Sequence, residues 1–448
     1  MRNLVRWSAV LTAMLLVLAA CQGAGSSSPS AAASTAASTA ASTAASAAAD
    51  PTAICAADPK GCVKVVPGDP IKFASANAIT GDPAALGNDI NFGIQVALDE
   101  RGKLLGHDVK LVKEDAGCSN AASGQTAAQA IVADKQIVGV VGTTCSRTAV
   151  PAMPVLAAAG LVMISASNTA PSLTNPAKPD FGGPFYFRTA YNDNVQGAAV
   201  AKYACEVLKV KTAATVHDGS PYAQQLQQVF QDQFKALCGG TTTSAQSINP
   251  GDINFQAVLT TIASSNAGKA PDLFFFPIFS PEGPLLTKFT ANVAGLDKMI
   301  LFGADGLKDG SFITNAGTFA QGKGMYFSGP DLNFGTKYTG TFLPAYYKLS
   351  GTTSPLAPYH AHGYDAINIL MDAVAAVGVK DSAGNLFIPR DAVRLFVKNL
   401  TNYAGLTGTL TCDANGDCGS KFVSIAQLKP DSTGKLTYQS LYTTRPAS

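Results

Sequence analysis

The chain has 448 residues, of which 47% are hydrophobic and 14% are charged. This length and composition allow a large buried core divided between two lobes. The formal net charge is +2, and without Arg2 and Arg6 near the N-terminus the basic and acidic residues balance at 30 each. A balanced net charge gives no indication of nucleic-acid or anionic-membrane binding through a basic surface.

The N-terminal segment has the pattern of a secretory leader. Residues 1–20 combine a basic start, an apolar centre and small residues before Cys21, and they are too short for an ordinary membrane span. Residues 18–22, LAACQ, resemble the lipobox of bacterial lipoproteins, which implies cleavage before Cys21 and a diacylglycerol on its sulfur. The alternative is cleavage by the general signal peptidase and release of the protein.

Residues 21–54 are predicted to be a lipid-bearing cysteine followed by a flexible tether. Positions 23–50 are almost only Ala, Ser and Thr, a composition that cannot bury a core. A lipid on Cys21 and a linker behind it would hold a folded domain outside the cytoplasm, anchored to the bacterial cell membrane.

The cysteine count agrees with export. Nine cysteines are present, and lipidation of Cys21 would leave eight, an even number that can pair in an oxidising compartment. Many connectivities are open, but pairing neighbours in sequence would close short local loops. A metal site is the alternative, although no tight CxxC spacing or nearby histidine supports it. The neighbouring pairs are Cys55–Cys62, Cys118–Cys145, Cys205–Cys238 and Cys412–Cys418.

Strands and helices alternate from residue 70 onwards, and the pattern occurs twice. Such alternation predicts two lobes, each a mostly parallel sheet covered by helices on both faces. In the first half, strands are predicted at residues 71–76, 109–112, 137–141 and 161–164, and helices at 121–134 and from a cap at Asn88 or Asp89. In the second half, strands are predicted at residues 213–216, 273–276 and 299–302, and helices at 195–208, 222–237, 255–264 and from 281. The remaining elements are a strand at 324–329, helices around 364–377 and 389–400, and an antiparallel tail at 406–442.

Residues 142–169 organise the first half, because two neighbouring predicted strands end there in small hydroxyl residues. Parallel strands joined by a helix place their carboxyl ends on one edge of the sheet, where open α/β sheets bind ligands. Ser146 and Thr169 would offer hydroxyls and backbone N–H groups near helix N-termini, which favour an anion. We therefore expect a pocket for a small carboxylate-bearing molecule. The alternative is that both residues are ordinary helix N-caps.

Short motifs follow these strands in a fixed order: Gly87 leading into its helix, residues 115–118, residues 142–169, His217-Asp218 with Tyr222, residues 303–306 and residues 405–408. Together they resemble the periplasmic binding proteins of the leucine/isoleucine/valine type, the extracytoplasmic receptors of amino-acid ABC transporters. The similarity runs from about residue 70 to 442. Each motif alone is weak, and their joint order and spacing are specific.

The resemblance implies a type I binding-protein fold, an α/β architecture of two lobes with a ligand closed between them. Three segments would connect the lobes, near residues 188–191, 326–330 and 404–410. The family's disulfide across the first βαβ unit would be Cys118–Cys145. The N-terminal lobe would comprise residues 70–189 and 330–406, and the C-terminal lobe residues 190–329 and 407–445.

The resemblance also implies ligand-binding roles by position. Ser146 and Thr169 would bind the ligand α-carboxylate, and the Ser167 carbonyl would accept from the α-ammonium. Asp305, where the family usually has Glu, would be the anionic partner of that ammonium. Tyr222 would close from the second lobe. The alternatives are a surface position for Tyr222 and a helix cap for Asp305.

Four further positions would shape the pocket. Leu86 and Phe279 stand where the family places aromatic rings near the ligand side chain, with plain core packing as the alternative. Thr144 and Asn168 depart from the commonest family pattern and would add polar contacts.

The predicted function is that of a solute-binding protein and not of an enzyme. As a monomer, it would capture an amino acid or similar small carboxylate and deliver it to an ABC permease, without cofactor, metal or nucleic acid. The alternative is a receptor domain for a signalling partner; a neighbouring permease gene would favour transport, and a sensor-kinase gene would favour signalling. A hydrolase using Ser146 would need a histidine base and an orienting acid, and the sequence offers no such set.

Overall fold

The computed structural model describes residues 50–81 and 83–446. The predicted leader, Cys21 and most of the predicted tether lie outside these residues. The helices are α1 (Pro51–Ala57), α2 (Ala84–Arg101), α3 (Ala121–Ala133), α4 (Ser146–Ala158), α5 (Asp193–Glu206), α6 (Pro221–Cys238), α7 (Gln256–Ala263), α8 (Glu282–Phe289), α9 (Gly310–Gly322), α10 (Leu343–Ser350), α11 (His360–Val377) and α12 (Arg390–Lys398). The strands are β1 (Cys62–Val65), β2 (Ile71–Asn77), β3 (Lys103–Leu104), β4 (His107–Asp115), β5 (Ile137–Gly142), β6 (Met163–Ser165), β7 (Tyr186–Arg188), β8 (Thr212–His217), β9 (Thr241–Ser247), β10 (Leu273–Phe276), β11 (Ile300–Gly303), β12 (Tyr326–Pro330), β13 (Val379–Lys380), β14 (Leu386–Pro389), β15 (Tyr403–Gly405), β16 (Gly408–Leu410), β17 (Val423–Pro430) and β18 (Leu436–Thr443).

The first lobe is built on a sheet with the strand order β3-β4-β2-β5-β6-β7. The strands from β4 to β7 run parallel, and the short β3 is antiparallel to β4. Every residue of β5 is buried, as expected for a central parallel strand covered on both faces. Since β2 lies between β4 and β5, the strand order reverses there, and such a switch point is where open sheets bind ligands.

The second lobe repeats this plan in a sheet with the order β9-β8-β10-β11-β12-β17-β18. The strands from β9 to β12 are parallel, and β17 and β18 add an antiparallel edge. Its helix α6 has clear sequence signals at both ends: Ser220 caps the first turn, Pro221 takes the first position, and Gly239 ends the helix at a left-handed φ of 66°. The predicted two-lobed α/β architecture is confirmed.

The chain passes between the lobes after β7, after β12 and between β16 and β17. Side chains of α10, α11 and α12 therefore belong to the core of the first lobe. Leu410 and Cys418 are part of the same core. The third passage thus lies later than the expected residues 404–410, because β16 and the Cys412–Cys418 disulfide still pack on the first lobe.

Arg188 ties the first and third passages together. Its fully buried guanidinium donates from Nε to the Asp417 carboxylate, and from Nη2 to the Thr174 hydroxyl at 2.7 Å. Its Nη1 donates to the carbonyls of Asn168 at 3.0 Å and Ala170 at 2.9 Å. A buried cation needs such partners to offset lost hydration, so Arg188 fixes the loop that follows β6.

Two predicted boundaries are corrected by the structure. The helix α2 begins at Ala84, before the expected cap at Asn88 or Asp89, and Asp89 is fully buried within it. Residues 51–54 form the start of α1 in place of the end of the tether, because the Asp50 side chain accepts from the Thr52 N–H and caps the helix.

All four expected cysteine pairs are disulfide-bonded in the structure. Cys55–Cys62 fastens α1 to β1, and Cys205–Cys238 joins α5 to α6. Cys118–Cys145 links the loop after β4 to the loop after β5, and so braces one side of the first switch point. Within the described ranges, none of the helices has the length and apolar character needed to cross a membrane.

Candidate functional site

Residues that follow strand ends in both lobes line one cavity. Its volume is about 10 Å³, which is room for about one water molecule, so the lobes are closed on each other. Seven of the nine predicted ligand-binding residues line it, with three that were not predicted to do so. The predicted residues are Leu86, Thr144, Ser146, Ser167, Tyr222, Phe279 and Asp305, and the others are Cys145, Gly306 and Tyr359.

The first-lobe wall presents a free hydroxyl and backbone amides. Ser146 is the first residue of α4 and is buried. Among the described residues its Oγ has one partner, the Ala170 N–H at 3.4 Å, so its own proton is available to a ligand. The first N–H groups of a helix lack intrahelical acceptors, and with the helix dipole they attract an anion. This wall therefore suits a carboxylate.

Two neighbouring hydroxyls already have partners inside the first lobe. Ser167 Oγ donates to the Thr144 carbonyl at 2.7 Å. Thr144 Oγ1 donates to Asn77 Oδ1 at 3.2 Å and accepts from the Ala78 N–H at 3.0 Å. These bonds hold the loops after β2, β5 and β6 together. The Ser167 carbonyl accepts no hydrogen bond from the described residues, which leaves it open to a donor on a ligand.

The second-lobe wall presents a buried carboxylate. Asp305 follows β11 and is 3% exposed. Its Oδ1 accepts from Gln196 Nε2 at 2.7 Å and from the Tyr222 hydroxyl at 2.9 Å. Its Oδ2 accepts from the Tyr359 hydroxyl at 2.9 Å. Because Tyr359 packs in the first-lobe core, this last bond joins the two lobes directly across the cavity.

A second buried carboxylate, Asp193, lies near Asp305. Burial raises the pKa of Asp305 above its ordinary value, and the hydrogen bonds from Gln196 and Tyr222 lower it only in part. Burial raises the pKa of Asp193 well above its ordinary value, the charge of Asp305 raises it further, and the neighbouring Thr169 hydroxyl lowers it. A cation beside these carboxylates would offset both their lost hydration and their mutual repulsion.

Tyr359 is held in place by a polar cluster that the sequence analysis missed. Asp89, buried within α2, accepts the Tyr359 N–H at 2.8 Å through Oδ2 and the Tyr346 hydroxyl at 2.7 Å through Oδ1. His360 Nδ1 lies 3.1 Å from both carboxylate oxygens. Asp89 therefore fixes the backbone that aims Tyr359 at Asp305. These partners are far apart in the chain, so local spacing gave no signal for them.

Two further polar contacts join the lobes around the cavity. Arg147 of α4 donates to the Asp218 carbonyl at 2.8 Å, and the Asp218 carboxylate lies 3.8 Å from it. Gln225 of α6 accepts the Ser172 N–H at 2.7 Å and donates to the Ser172 hydroxyl at 2.7 Å. These polar contacts suit lobes that open and close, since water can replace them when the lobes separate.

Apolar surface completes the cavity. Leu86 is 3% exposed, and the rings of Tyr222 and Phe279 lie 5.0 Å apart between centroids. Tyr222 is 2% exposed, which excludes the surface alternative. Asn168 and Thr169 are not among the described residues that line the cavity. Asn168 Nδ2 donates to the carbonyl of residue 143 at 2.8 Å, and the Thr169 carbonyl accepts the Asp193 N–H at 2.9 Å.

The structure rules out the simple capping alternatives. The N-cap of α4 is Cys145 and not Ser146. The helix α9 begins beyond Asp305, and its cap is Asp309, which accepts the Phe312 N–H at 2.6 Å. Within residues 50–81 and 83–446, no histidine hydrogen-bonds to Ser146, and no cluster of His, Cys, Asp or Glu could hold a metal ion.

Comparison with known sequences gives one consistent family. The model of the periplasmic binding protein family matches residues 70–435. A Leu/Ile/Val-binding protein of Rhizobium johnstonii is 30% identical over 352 residues, which cover 78% of this chain and 88% of the relative. A Leu/Ile/Val-binding protein homolog of Brucella melitensis is 28% identical over 354 residues, with the same coverage of 78% and 88%.

Solved structures share the fold. A leucine-binding protein from Thermotoga maritima superposes with a TM-score of 0.70 at 24% identity, covering 82% of this chain and 97% of that one. A solute-binding protein of an ABC transporter from Rhodopseudomonas palustris, in complex with p-hydroxybenzoic acid, gives a TM-score of 0.71 at 17% identity and covers 84% and 97%. The same two-lobed α/β fold therefore occurs in proteins with chemically different ligands.

Proposed function

The chain belongs to the periplasmic binding protein family, and we propose that within this family it captures a zwitterionic amino acid in the cleft between Ser146 and Asp305. It is a solute-binding protein and not an enzyme. The observation that carries the proposal is the charge asymmetry of the cavity: helix amides and a free hydroxyl stand on one wall, and a buried carboxylate stands on the other.

A zwitterion that enters a closed cleft loses water around both of its charges. Each charge must then find a partner, or several kcal/mol are lost. The N-terminus of α4 and Ser146 serve the carboxylate, and Asp305, with Asp193 nearby, serves the ammonium. The names of the relatives, which are Leu/Ile/Val-binding proteins, support an apolar side chain on the ligand, and Leu86 and Phe279 offer apolar surface for it.

On this proposal the ligand enters while the lobes are apart. A cavity of about 10 Å³ is far smaller than an amino acid, so binding must widen the cleft and displace the Tyr359 hydroxyl from part of its contact with Asp305. The ammonium would replace a neutral donor with a charged one, which adds the direct attraction between opposite charges. Closure around the ligand is then favoured by the ligand itself.

We further propose that the protein acts as a monomer, anchored through a lipid on Cys21, and delivers its ligand to an ABC permease. The leader pattern of residues 1–20 motivates the anchor. Membrane fractionation of a Cys21→Ala variant should find it unprocessed or released. Processed protein that stays anchored as before would refute the lipid.

A thermal-shift screen over the amino acids, their amides and their deaminated acids tests the proposed ligand class. Binding stabilises only the folded form, so an amino acid with an apolar side chain should raise the Tm most. Its amide and its deaminated acid should raise the Tm less, because each lacks one charge. A Ser146→Ala/Asp305→Asn double variant is the control and should lose the shift. Equal stabilisation by acids without an ammonium would contradict an amino-acid function.

A further inference from the structure

A second and larger cavity is lined by residues that neighbour Asp305 and Tyr359 in the chain. Lys308 and Pro358 line it, and it shares no lining residue with the cleft cavity. Its volume is about 670 Å³, against about 10 Å³ for the cleft. Small-molecule sites in proteins have volumes of roughly 300–1,000 Å³, so this space, called the Lys308 cavity below, is large enough for one.

Both lobes contribute to the Lys308 cavity. The second lobe provides residues of α9, β17 and β18, and the first lobe provides the loop before Tyr359. The two sides touch through the Gly310 N–H, which donates to the Leu356 carbonyl at 3.2 Å. The lining is largely apolar, and its apolar members include Ile313, Leu332, Pro355, Leu356, Pro358 and Leu436.

One buried cation borders this apolar space without a hydrogen-bond or ion-pair partner among the described residues. Lys308 is 6% exposed, and its Nζ makes no hydrogen bond or ion pair with any residue that the structure describes. Its Nζ lies beside Gly329, where an added Cβ would come within 3.1 Å of it, and is 6.0 Å from the centroid of the Tyr438 ring. Burial lowers the pKa of Lys308 to about 8, and the charges of Asp305 and Asp331 raise it in part. The ammonium is therefore still charged at neutral pH, at a cost in lost hydration.

The other charges around the cavity already have partners. The Asp331 carboxylate pairs with Arg445 at 2.9 Å and accepts the Thr443 hydroxyl at 2.8 Å. Asp309 caps α9. Lys435 donates to hydroxyls of the first-lobe loop and lies towards solvent. Among the described residues of the lining, Lys308 is therefore the unpaired positive charge. The carboxylates of Asp309 and Asp331, which also line the cavity, would repel a dianion.

We propose that the Lys308 cavity is a second ligand site, which binds a monoanionic carboxylate with an apolar body. The carboxylate pairs with Lys308 Nζ, and the apolar body fills the space between α9 and the loop before Tyr359. The charge of the ligand follows from the one unpaired ammonium, and its apolar body follows from the lining. The argument for this site does not rest on the function proposed for the cleft, although the charge of Asp305 acts on Lys308.

Isothermal titration with octanoate and with uncharged n-octanol tests the proposal. Wild-type protein should bind octanoate, and Lys308→Met should weaken octanoate binding at least tenfold while changing n-octanol binding less than threefold. Thr314→Trp, which adds bulk to an exposed position on the cavity wall, should weaken both. Inorganic phosphate should not compete, because two carboxylates border the site.

Ser146→Ala separates this site from the cleft, since octanoate could also bind at the N-terminus of α4. If the Lys308 cavity is the site, Ser146→Ala leaves octanoate affinity within threefold of wild type. Loss of binding in Ser146→Ala with normal binding in Lys308→Met would overturn the proposal. So would an absence of octanoate binding to folded wild-type protein, or unchanged binding by Thr314→Trp.

Discussion

The two walls of the cleft face the same space with opposite chemistry. The first-lobe wall offers Ser146, the Ser167 carbonyl and helix amides, all neutral groups fixed by their own lobe. The second-lobe wall offers the buried charge of Asp305, whose partners come from both lobes. Preformed dipoles can hold a carboxylate while the cleft is open. On the proposed function, the buried charge of the second wall would reach the ammonium only on closure, and this wall would couple binding to closure.

The largest effect should come from removing the charge of the second wall. Asp305→Asn keeps the size of the side chain and should cost about 2–5 kcal/mol of binding free energy, or roughly 30-fold to several thousand-fold in Kd. Titration calorimetry measures it, with thermal unfolding as the check that the variant is folded. An affinity within about threefold of wild type would contradict the proposal that the charge of Asp305 binds the ligand.

Removing the free hydroxyl of the first wall should cost less. Ser146→Ala deletes one hydrogen bond to a charged group, worth about 1.5–3 kcal/mol or roughly 10-fold to 150-fold in Kd, and the α4 amides remain. Ser123→Ala is the matched control, since it removes a first-lobe hydroxyl that donates to the Asn120 carbonyl outside the cavity. A larger loss for Ser146→Ala than for Asp305→Asn would reverse the comparison.

The two walls should differ in their response to acid. The pKa of Asp305 is raised by burial, so in the free protein it takes up a proton at a higher pH than an ordinary Asp. Affinity for the ammonium should therefore fall as the pH drops through this raised pKa, by at most about tenfold per pH unit. The neutral wall has no such dependence, and in Asp305→Asn only Asp193 still titrates beside the ammonium, so the Kd of this variant should depend less on pH over the same range.

The smallest effect should come from the contact that closes the unliganded cleft. Tyr359→Phe removes the hydroxyl that reaches Asp305 and leaves the ring packed in the first lobe. We expect less than about a tenfold change in Kd and a larger radius of gyration without ligand by small-angle scattering. Tyr347→Phe, on the same lobe but away from the cavity, is the control. Identical radii for both variants would mean that this bond does not hold the cleft shut.

Local sequence patterns located one wall better than the other. Ser146, after β5, was predicted from the strand end alone, because a parallel sheet brings such ends to one edge. Thr169, predicted in the same way after β6, does not line the cavity, and Ser167 was predicted from the family resemblance. Tyr359 was missed because it meets Asp305 across 54 residues and Asp89 across 270. Asp89 looked like a helix cap, since the sequence cannot reveal that α2 begins earlier and buries it against α11.

The predictions of the strands were also uneven: buried strands were predicted, and edge or short strands were missed. Apolar runs such as β5 and β10 were predicted because a strand buried on both faces leaves a continuous signal. The edge strand β9, with the sequence TTTSAQS, was missed because only one of its residues is fully buried. The short strands β1, β13 and β14 were also missed, since their pairing joins residues that are far apart in the chain.

The claim that the two walls bind opposite charges is tested most directly by removing each charge from the ligand and its proposed partner from the protein. Titration calorimetry would compare leucine with isocaproate, which lacks the ammonium, and with isoamylamine, which lacks the carboxylate. Each ligand is titrated into wild type, Asp305→Asn and Ser146→Ala. If the thermal-shift screen selects another amino acid, that amino acid and its analogues replace these three. We predict that Asp305→Asn weakens leucine but not isocaproate, and that Ser146→Ala weakens isocaproate but not isoamylamine. An equal loss of leucine and isocaproate affinity in Asp305→Asn would contradict the account.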